Sequence, residues 1–300
     1  MSNPRRIVAA INPTASSGRG RQVGPLVVAA LRAAGYEVVA LVEPDFAHLL
    51  AATRAAVAAG CDALVVVGGD GMVHLAAHVL EGGEVPLGIV PSGTGNDVAR
   101  GLGIPIGDTD AAIRALLAAL NRPPQRIDAV VITGEGMPRS RFVGVLSAGF
   151  DALVNERANG MRRPRGPSRY LIALLVELLR LRPIEYRLVL DGEEHRERGM
   201  LIAVANNRSF GGGMRVAPDA LLDDGLLDIV IVRPLGRVAF LRIFPRVYAG
   251  THVTDRRVVV HRAAHVRIEA AGVVAYADGE RIGPLPLEIT VEPGGLRVLA

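Results

Sequence analysis

The residues Ala63–Leu75, with the sequence ALVVVGGDGMVHL, decide the fold. Ala63–Val67 is apolar and rich in β-branched side chains without alternation, which is typical of a strand buried on both faces. A glycine-rich loop follows it, and Val73–Leu80 then has the apolar spacing of a helix. Strand, loop and helix recur in this order along the first 125 residues. Such alternation predicts an α/β domain with a parallel sheet and right-handed crossovers.

The pattern changes after a proline-containing hinge at residues 122–124, beyond which strand-like segments dominate. Asp191-Gly192 and Asp278-Gly279 are dipeptides typical of hairpin turns between such strands. We therefore predict two domains: an α/β domain at residues 1–125 and a β-rich, sandwich-like domain at residues 126–300. The last strand could pack back on the first domain.

The composition excludes several classes of protein. All 34 basic residues are arginine, so P-loop enzymes, protein kinases and Schiff-base enzymes, which need a lysine, are excluded. Aromatic residues make up only 4% of the chain and tryptophan is absent, which argues against a nucleic-acid partner. The single cysteine, Cys61, forbids an internal disulfide and fits a reducing compartment. No apolar helical stretch reaches the roughly 20 residues that span a bilayer, so we expect a cytoplasmic protein.

Three polar, glycine-rich loops end predicted strands of the first domain: residues 12–18, 68–71 and 91–97. Parallel strands bring such loops to one edge of the sheet, where open α/β folds bind ligands. Glycine lets the backbone approach a ligand closely, and helix N-termini favour phosphate. The plainer alternative for residues 68–71 is an ordinary strand-to-helix turn capped by Asp70.

The motifs INPTASSG, VVVGGDGMVH, PSGTGNDVARGLGIP, NRSFGGGMRVAPDALLDDGLLDI and ADGE run from Asn12 to Glu280. Together they resemble the diacylglycerol kinase catalytic-domain family, which includes bacterial lipid kinases, sphingosine kinases and ceramide kinases. The resemblance covers nearly the whole chain. The GGDG loop alone would also fit NAD kinases and phosphofructokinases. The family fold implies a three-layer ATP-binding domain, a β-sandwich lipid-substrate domain, and an active site between them.

The resemblance also implies roles for individual residues. Glu280 would be the general base, and Asp70, Asp97 and Asp128 would hold a Mg²⁺–water network. Implied nucleotide contacts are Asn12, Gly68, Gly69, Asp70, Gly71, Met72, His74, Gly93 and Thr94. Without the resemblance, Asp128 is a residue that caps the start of a strand, and Glu280 is a solvated turn residue.

A second, structural Mg²⁺ site is implied at Asp224 with the carbonyl oxygens of Leu221 and Leu226. The alternative is an acidic β-turn, because Asp-Asp-Gly is common in turns. Upstream, residues 206–207 and 211–213 are expected to border the cleft, with a flexible loop as the alternative.

The chain departs from the family pattern after GGDG, where Met72, His74 and Leu75 replace Thr, Asn and Glu, and at Glu43, which replaces a threonine. The lost hydroxyl removes a hydrogen bond worth about 1 kcal/mol to the nucleotide. His74 could replace the asparagine as a donor. We expect activity with altered nucleotide affinity.

The resemblance thus implies an ATP- and Mg²⁺-dependent kinase that converts diacylglycerol to phosphatidic acid. Alternatives are a sphingoid base, a polyprenol or NAD as acceptor, and a non-catalytic nucleotide- or lipid-binding regulator. A basic stretch could dock on an anionic membrane surface, although a solvated loop is the simpler reading; its arginines are Arg157, Arg162, Arg163, Arg165 and Arg169. The expected protein is peripherally membrane-associated, and an exposed strand edge could support a homodimer.

Overall fold

The computed structural model describes residues 5–13, 19–161, 167–180 and 182–300. Its first half contains β1 (Arg6–Ile11), α1 (Arg19–Ala33), β2 (Glu37–Val42), α2 (Phe46–Ala58), β3 (Ala63–Gly68), α3 (Asp70–Val79), β4 (Leu87–Pro91), α4 (Asp97–Gly101) and α5 (Thr109–Ala119). The strands lie in the order β2-β1-β3-β4, and every neighbouring pair is parallel. The predicted α/β arrangement is confirmed.

The central strand β3 is covered on both faces, which explains its unbroken apolar sequence. All six of its residues are buried. Leu64 and Val66 pack in the cluster that contains side chains of α2 and α3, whereas Val65 and Val67 pack with α1 and α5. Burial of each of these side chains contributes roughly 1.5–3 kcal/mol. The sheet is therefore the middle of three layers.

The second half begins with β5 (Gln125–Thr133), β6 (Ser140–Phe142), β7 (Val145–Gly149), α6 (Phe150–Gly160), α7 (Pro167–Leu179), β8 (Ile184–Leu190) and β9 (Glu193–Gly199). It continues with β10 (Leu201–Ala205), β11 (Leu227–Val232), α8 (Arg237–Ala249), β12 (Val258–Ala263), β13 (His265–Glu269), β14 (Val274–Ala277), β15 (Glu280–Pro284) and β16 (Leu287–Leu299). One antiparallel layer has the order β16-β13-β8-β9, with β5 and β6 attached, and the other has the order β12-β11-β10-β7-β14-β15. Apolar side chains of both layers meet in one core, as the predicted sandwich requires.

Strand β16 connects the two halves. Its first part pairs antiparallel with β13 and β5, and its last residues, Val298 and Leu299, pair in parallel with Leu87 and Gly88 of β4. The parallel sheet therefore continues into one layer of the sandwich. Because β5 begins at Gln125 and pairs with β6 and β16, this strand lies on the sandwich side of the chain.

Three elements are not predicted by the hydrophobic pattern. Strand β9 is almost entirely charged, because it is an exposed edge strand whose only buried residue is Gly199. Strand β15 contains glycine and proline, and helix α6 has a mixed polar sequence. An edge strand needs little apolar sequence, and the side chains that α6 buries in its apolar cluster, which are Phe150, Val154 and Ala158, are too few to predict a helix from the pattern.

The β7-to-β11 layer also buries its second face. Ala203 and Val230 point away from the sandwich core into a separate apolar cluster. Helices α6, α7 and α8 lie over this face, and Phe150 packs against Phe240 with ring centroids 4.7 Å apart. Within the described ranges, no helix is both long and apolar enough to cross a membrane.

Candidate active site

The loops after β3 and β4 touch through glycine backbones. A Cβ atom on Gly93 would lie 2.3 Å from the Cα of Gly69, so no larger residue fits there. Asn96 stabilises the second loop: its Oδ1 accepts the Gly93 N–H at 2.9 Å and its Nδ2 donates to the Gly93 carbonyl at 2.8 Å. Asn96 is itself left-handed, with a φ of 53°, which asparagine tolerates better than most residues.

Asp70 lies where these two loops meet. Its Oδ1 accepts the N–H of Val98 at 3.1 Å, and its Oδ2 would lie 2.7 Å from a Cβ atom on Gly95. Burial raises the pKa of Asp70, and the nearby Asp97 carboxylate acts in the same direction. The structure therefore brings Asp70 and Asp97 together, as the resemblance implies.

Asp97 connects the two halves of the molecule. It is 5% exposed, and its two oxygens accept the N–H groups of Gly212 and Gly213, both at 2.7 Å. Arg100 lies 3.6 Å from the same carboxylate. The glycine-rich segment predicted at residues 211–213 thus lies at the border of the cleft.

The Asp278-Gly279-Glu280 hairpin faces the first loop from the other half. Glu280 is exposed, and its Oε1 lies 3.6 Å from the position of a Cβ atom on Gly71. Asp278 accepts backbone N–H groups of residues 143, 144 and 145 at 3.0–3.1 Å. Burial, together with the neighbouring Asp70 carboxylate, raises the pKa of Asp278 to about 7 against the effect of these donors.

A cavity of about 790 Å³ extends from these carboxylates. Its polar end is lined by Asp70, Thr94, Gly95, Asp97, Asp278 and Gly279. Its remaining wall is mainly apolar and includes Phe150, Val154, Leu201, Val230, Val232, Phe240, Ile243 and Phe244. This wall is the second face of the sandwich together with the helices that cover it. The cavity therefore joins an acidic end to an apolar compartment.

Two of the predicted nucleotide contacts are turned away from the cleft. Met72 is 1% exposed and packs in the core, where a Cβ atom on Gly68 would lie 2.3 Å from its Cγ. His74 is 8% exposed, and burial beside His78 lowers its pKa to about 4, so it is neutral. Neither side chain lines the cavity, because α3 turns both towards the interior. The structure thus does not support a nucleotide contact from either.

The other predicted nucleotide residues lie around the two loops. Thr94 is exposed and lines the cavity. Asn12 ends β1 beside the first loop, with its Cβ 3.6 Å from the position of a Cβ atom on Gly68. Of the motif at residues 12–18, residues 14–18 lie outside the described part of the chain.

The structure places Asp128 away from the cavity. It is 1% exposed, and its two oxygens accept the N–H groups of Gly225 and Gly294 at 2.7 and 2.8 Å. Its own N–H donates to the Leu222 carbonyl at 2.6 Å. Asp128 thus holds the turn that contains Asp224 and does not line the cavity. Its backbone carbonyl accepts from Asn206, whose neighbour Asn207 donates to the Asp97 carbonyl, and its part in a Mg²⁺–water network stays a prediction.

The second implied metal site is a turn stabilised by an ion pair. The Oδ1 of Asp224 accepts the Leu226 N–H at 3.1 Å, and its Oδ2 pairs with Arg262. Asp228 lies beside this pair, and its Oδ2 is buried without a hydrogen-bond partner in the described part of the chain. No group of three or more His, Cys, Asp or Glu side chains suited to a metal occurs among the described residues.

The basic stretch is only partly described. Arg157 pairs with the buried Glu177, so its charge is neutralised within the protein. Arg162, Arg163 and Arg165 lie outside the described residues, as does the side chain of Arg169.

Two acidic residues that line the cavity, Asp278 and Asp151, are not identified as site residues from the sequence. Asp278 reads as a turn residue, and only its packing against residues 143–145 reveals its burial. Asp151 lies at the start of α6, an element that the hydrophobic pattern does not predict. For Asp278, the available signal is its position directly after an apolar strand, whereas Asp151 lies two residues after β7 and has no such signal.

Comparison with known proteins agrees with this geometry. The model described as the diacylglycerol kinase catalytic domain matches residues 6–132, and the YegS C-terminal NAD kinase beta sandwich-like domain matches residues 144–300. The chain is 42% identical over 298 residues to a protein named diacylglycerol kinase from Mycobacterium tuberculosis (strain ATCC 25618 / H37Rv), covering 98% of this chain and 94% of that protein. It is 31% identical to a "Probable lipid kinase YegS-like" protein of Pseudomonas aeruginosa (strain UCBPP-PA14), covering 93% and 91%.

Solved structures show the same fold. A diacylglycerol kinase structure from Bacillus anthracis str. Sterne matches with a TM-score of 0.73 and 19% identity, covering 100% of this chain and 98% of that one. Another structure from that organism gives a TM-score of 0.79 at 21% identity, covering 100% and 96%. From its motifs, its fold and its curated relatives, the chain belongs to the diacylglycerol kinase catalytic-domain family of lipid kinases.

Proposed function

We propose that the protein transfers the γ-phosphoryl group of ATP to the hydroxyl of diacylglycerol, which gives phosphatidic acid. The cavity carries this proposal, because its acidic end opens into an apolar compartment. A lipid alcohol has the matching division between a hydroxyl end and acyl chains. The curated relative named diacylglycerol kinase supports the same acceptor.

The nucleotide would bind at the loops after β3 and β4. Helix α3 begins at Asp70 without a side-chain cap, so its N-terminus can accept an anionic group. Gly69 and Gly93 have no side chains, so the two loop backbones lie close together and leave room for a ligand. Thr94 has an exposed side chain that lines the cavity. This arrangement would place the terminal phosphate beside Glu280.

Glu280 would act as the general base. Glu280 is exposed and its Oε1 lies next to Gly71, while its neighbours Asp278 and Gly279 line the cavity. It would therefore reach a hydroxyl at the mouth of the cavity. The lipid oxygen would form a bond to the γ-phosphorus while the bond to the β–γ bridging oxygen breaks, and the hydroxyl proton would pass to the Glu280 carboxylate. Such a base contributes about 10²- to 10⁴-fold to the rate, and positioning contributes much of the remainder.

Mg²⁺ would be held by carboxylate and carbonyl oxygens, which are the ligands it prefers. At the cavity, Asp70 fits this role best, because both oxygens of Asp97 already accept backbone N–H groups. At the turn that contains Asp224, the Oδ2 of Asp228 has no hydrogen-bond partner among the described residues, which fits an ion held there with the carbonyl oxygens of Leu221 and Leu226. Arg262 would have to move away from Asp224 for the ion to bind. When bound at the cavity, the ion would neutralise charge on the triphosphate.

We also propose peripheral contact with an anionic membrane from the cytoplasmic side. The helices over the cavity expose large apolar side chains, which include Ile172, Leu175, Leu179, Val238 and Leu241. Co-sedimentation with vesicles tests this contact. The apolar side chains support contact with a membrane, and the preference for anionic lipid rests on the arginines predicted to dock there. Binding to anionic but not to neutral vesicles is therefore expected, whereas equal or absent binding would contradict it. The homodimer through a strand edge remains a prediction.

The function is tested by incubating purified protein with Mg²⁺ and γ-labelled ATP in mixed micelles that contain dioctanoylglycerol, sphingosine, a polyprenol or NAD. We expect label in the glyceride. Label only in another lipid would show a lipid kinase with a different acceptor. Label in NAD would show a kinase of a soluble acceptor instead of a lipid kinase. A wild-type protein that labels none of the four would instead favour the non-catalytic regulator.

A further inference from the structure

The wall of the cavity contains a carboxyl group that the proposed phosphoryl transfer does not use. Asp151 lines the cavity at the start of α6. Both of its side-chain oxygens are buried. The Ser147 hydroxyl and the N–H groups at the start of α6 lie near enough to act on them, but no described group reaches hydrogen-bond geometry. A buried polar group without a partner is costly unless a ligand supplies one.

The surroundings of Asp151 disfavour its charged form. Phe150 and Val154 flank it on α6, and no arginine lines the cavity in the described part of the chain. Burial raises the pKa of Asp151 to about 6, while the Ser147 hydroxyl and the N–H groups at the start of α6 act in the opposite direction. A lipid that displaces water from the cavity would favour the neutral acid further. A neutral carboxylic acid can donate one hydrogen bond through its O–H.

Strand β7 sets the position of this group relative to the reacting end. Asp278 accepts the N–H of Val145 at 3.1 Å, so Val145 lies at the acidic end. Ser147 points to the same face two residues later, about 7 Å along the strand, and its hydroxyl acts on Asp151. In a glyceride, the ester carbonyls lie only a few bonds beyond the free hydroxyl. They are hydrogen-bond acceptors and carry no donor.

We propose that Asp151, protonated once the lipid has displaced water from the cavity, donates a hydrogen bond to an ester carbonyl oxygen of the acceptor and thereby selects glycerides with ester-linked chains. This inference rests on the proposed function. It assigns one polar group of the cavity wall, which also contains Ser147, Asn155 and Ser209, to recognition of the ester linkage.

The test compares dioctanoylglycerol, a diester, with dioctylglycerol, the diether of matched chain length, as acceptors. Wild type is expected to show a kcat/KM about tenfold higher for the diester, the ratio that one hydrogen bond supplies. Asp151→Asn keeps an N–H donor at the same place and should keep most of this ratio. Asp151→Leu should lower kcat/KM for the diester to that for the diether and leave the diether within about threefold of wild type.

The diether rate also reports whether each variant is folded. Because leucine removes an unpartnered buried polar group, the melting temperature of Asp151→Leu should equal or exceed that of wild type. Wild type that labels the diester, with a ratio unchanged in Asp151→Leu, would overturn this inference alone. A ratio lost equally in Asp151→Asn would also overturn it, because the amide can still donate. Wild type that labels neither glyceride would remove the proposed function and this inference with it.

Discussion

Two hairpins of the sandwich share the tripeptide Asp-Gly-Glu, at residues 191–193 and 278–280. Their turns are nearly identical, with φ values of 48° and 93° in the first and 50° and 86° in the second. In both hairpins the aspartate accepts N–H groups of a neighbouring segment, at 2.8–3.2 Å for Asp191 and 3.0–3.1 Å for Asp278. The local sequence and the local structure are thus the same.

Their surroundings differ. The first hairpin joins β8 and β9 at a sheet edge, where the Glu193 side chain is 85% exposed and its carboxylate lies 3.8 Å from the His195 ring. The second joins β14 and β15 opposite α3, and Glu280 there lies beside Gly71. The comparison teaches that chain topology, rather than the tripeptide, makes a turn glutamate available for chemistry. It also provides a matched control for each substitution in the second hairpin.

The largest expected effect is on Glu280. Glu280→Gln should lower kcat at least a hundredfold, because the amide cannot accept the hydroxyl proton. Glu193→Gln changes the same residue type at the same turn position and should leave kcat within twofold. Initial rates with dioctanoylglycerol measure both. Equal rates in the two variants would remove the role assigned to Glu280.

Alanine substitutions of the two hairpin aspartates, Asp278 and Asp191, should both lower stability, but only the first should lower activity. Asp278→Ala leaves three backbone N–H groups without their acceptor and should lower the free energy of unfolding by about 2 kcal/mol. It should also lower kcat/KM at least tenfold by displacing Glu280. Asp191→Ala, at an exposed turn, should cost about 1 kcal/mol and leave the rate unchanged. Urea unfolding gives the free energy of unfolding, and initial rates give kcat/KM. A lower kcat/KM in Asp191→Ala would contradict the proposed difference between the two hairpins.

The pH dependence of stability should differ between the same two positions. The pKa of Asp278 is raised from 3.8 to about 7 in the folded protein. Protonation of Asp278 therefore stabilises the fold fully below pH 3.8, and this contribution to the free energy of unfolding is lost as the pH rises to about 7. Between pH 5 and pH 8, wild type should therefore lose about 2 kcal/mol of unfolding free energy relative to Asp278→Asn. Urea unfolding of Asp191→Asn is the control. A difference between wild type and Asp278→Asn that stays constant with pH would contradict this account of burial.

The smallest effect is expected at the turn glycines. Gly192 and Gly279 have φ values of 93° and 86°, which side chains with a Cβ atom adopt only with strain. Alanine at either position should lower the free energy of unfolding by about 1–2 kcal/mol and by similar amounts. Only Gly279→Ala should also lower the rate, by a few fold. Thermal unfolding and initial rates would show whether the two turns are energetically equivalent, and clearly unequal stability losses would contradict that equivalence.

Sequence reasoning succeeds where the signal is local. The buried strand Ala63–Val67, the glycine loops after β3 and β4 and the hairpin dipeptides each depend on neighbouring residues, and the structure contains these features. Asp70 and Asp97 follow from the same logic, because parallel strands bring their ends to one edge.

The remaining features depend on contacts between distant residues. The acceptor role of Asp128 is fixed by glycines 97 and 166 positions away along the chain. The burial of Met72 follows from packing against β3, and the environment of Asp151 exists only because α6 lies over the sandwich. No local pattern encodes such placements.

The most direct test of the central claim is the KM for dioctanoylglycerol in Leu201→Trp, measured beside the KM for ATP. Leu201 lines the apolar compartment on β10, so the larger ring should occupy space that the acyl chains need. We expect the KM for the lipid to rise at least tenfold while the KM for ATP stays within twofold. An unchanged KM for the lipid in a folded, active variant would show that the acceptor does not bind in this cavity.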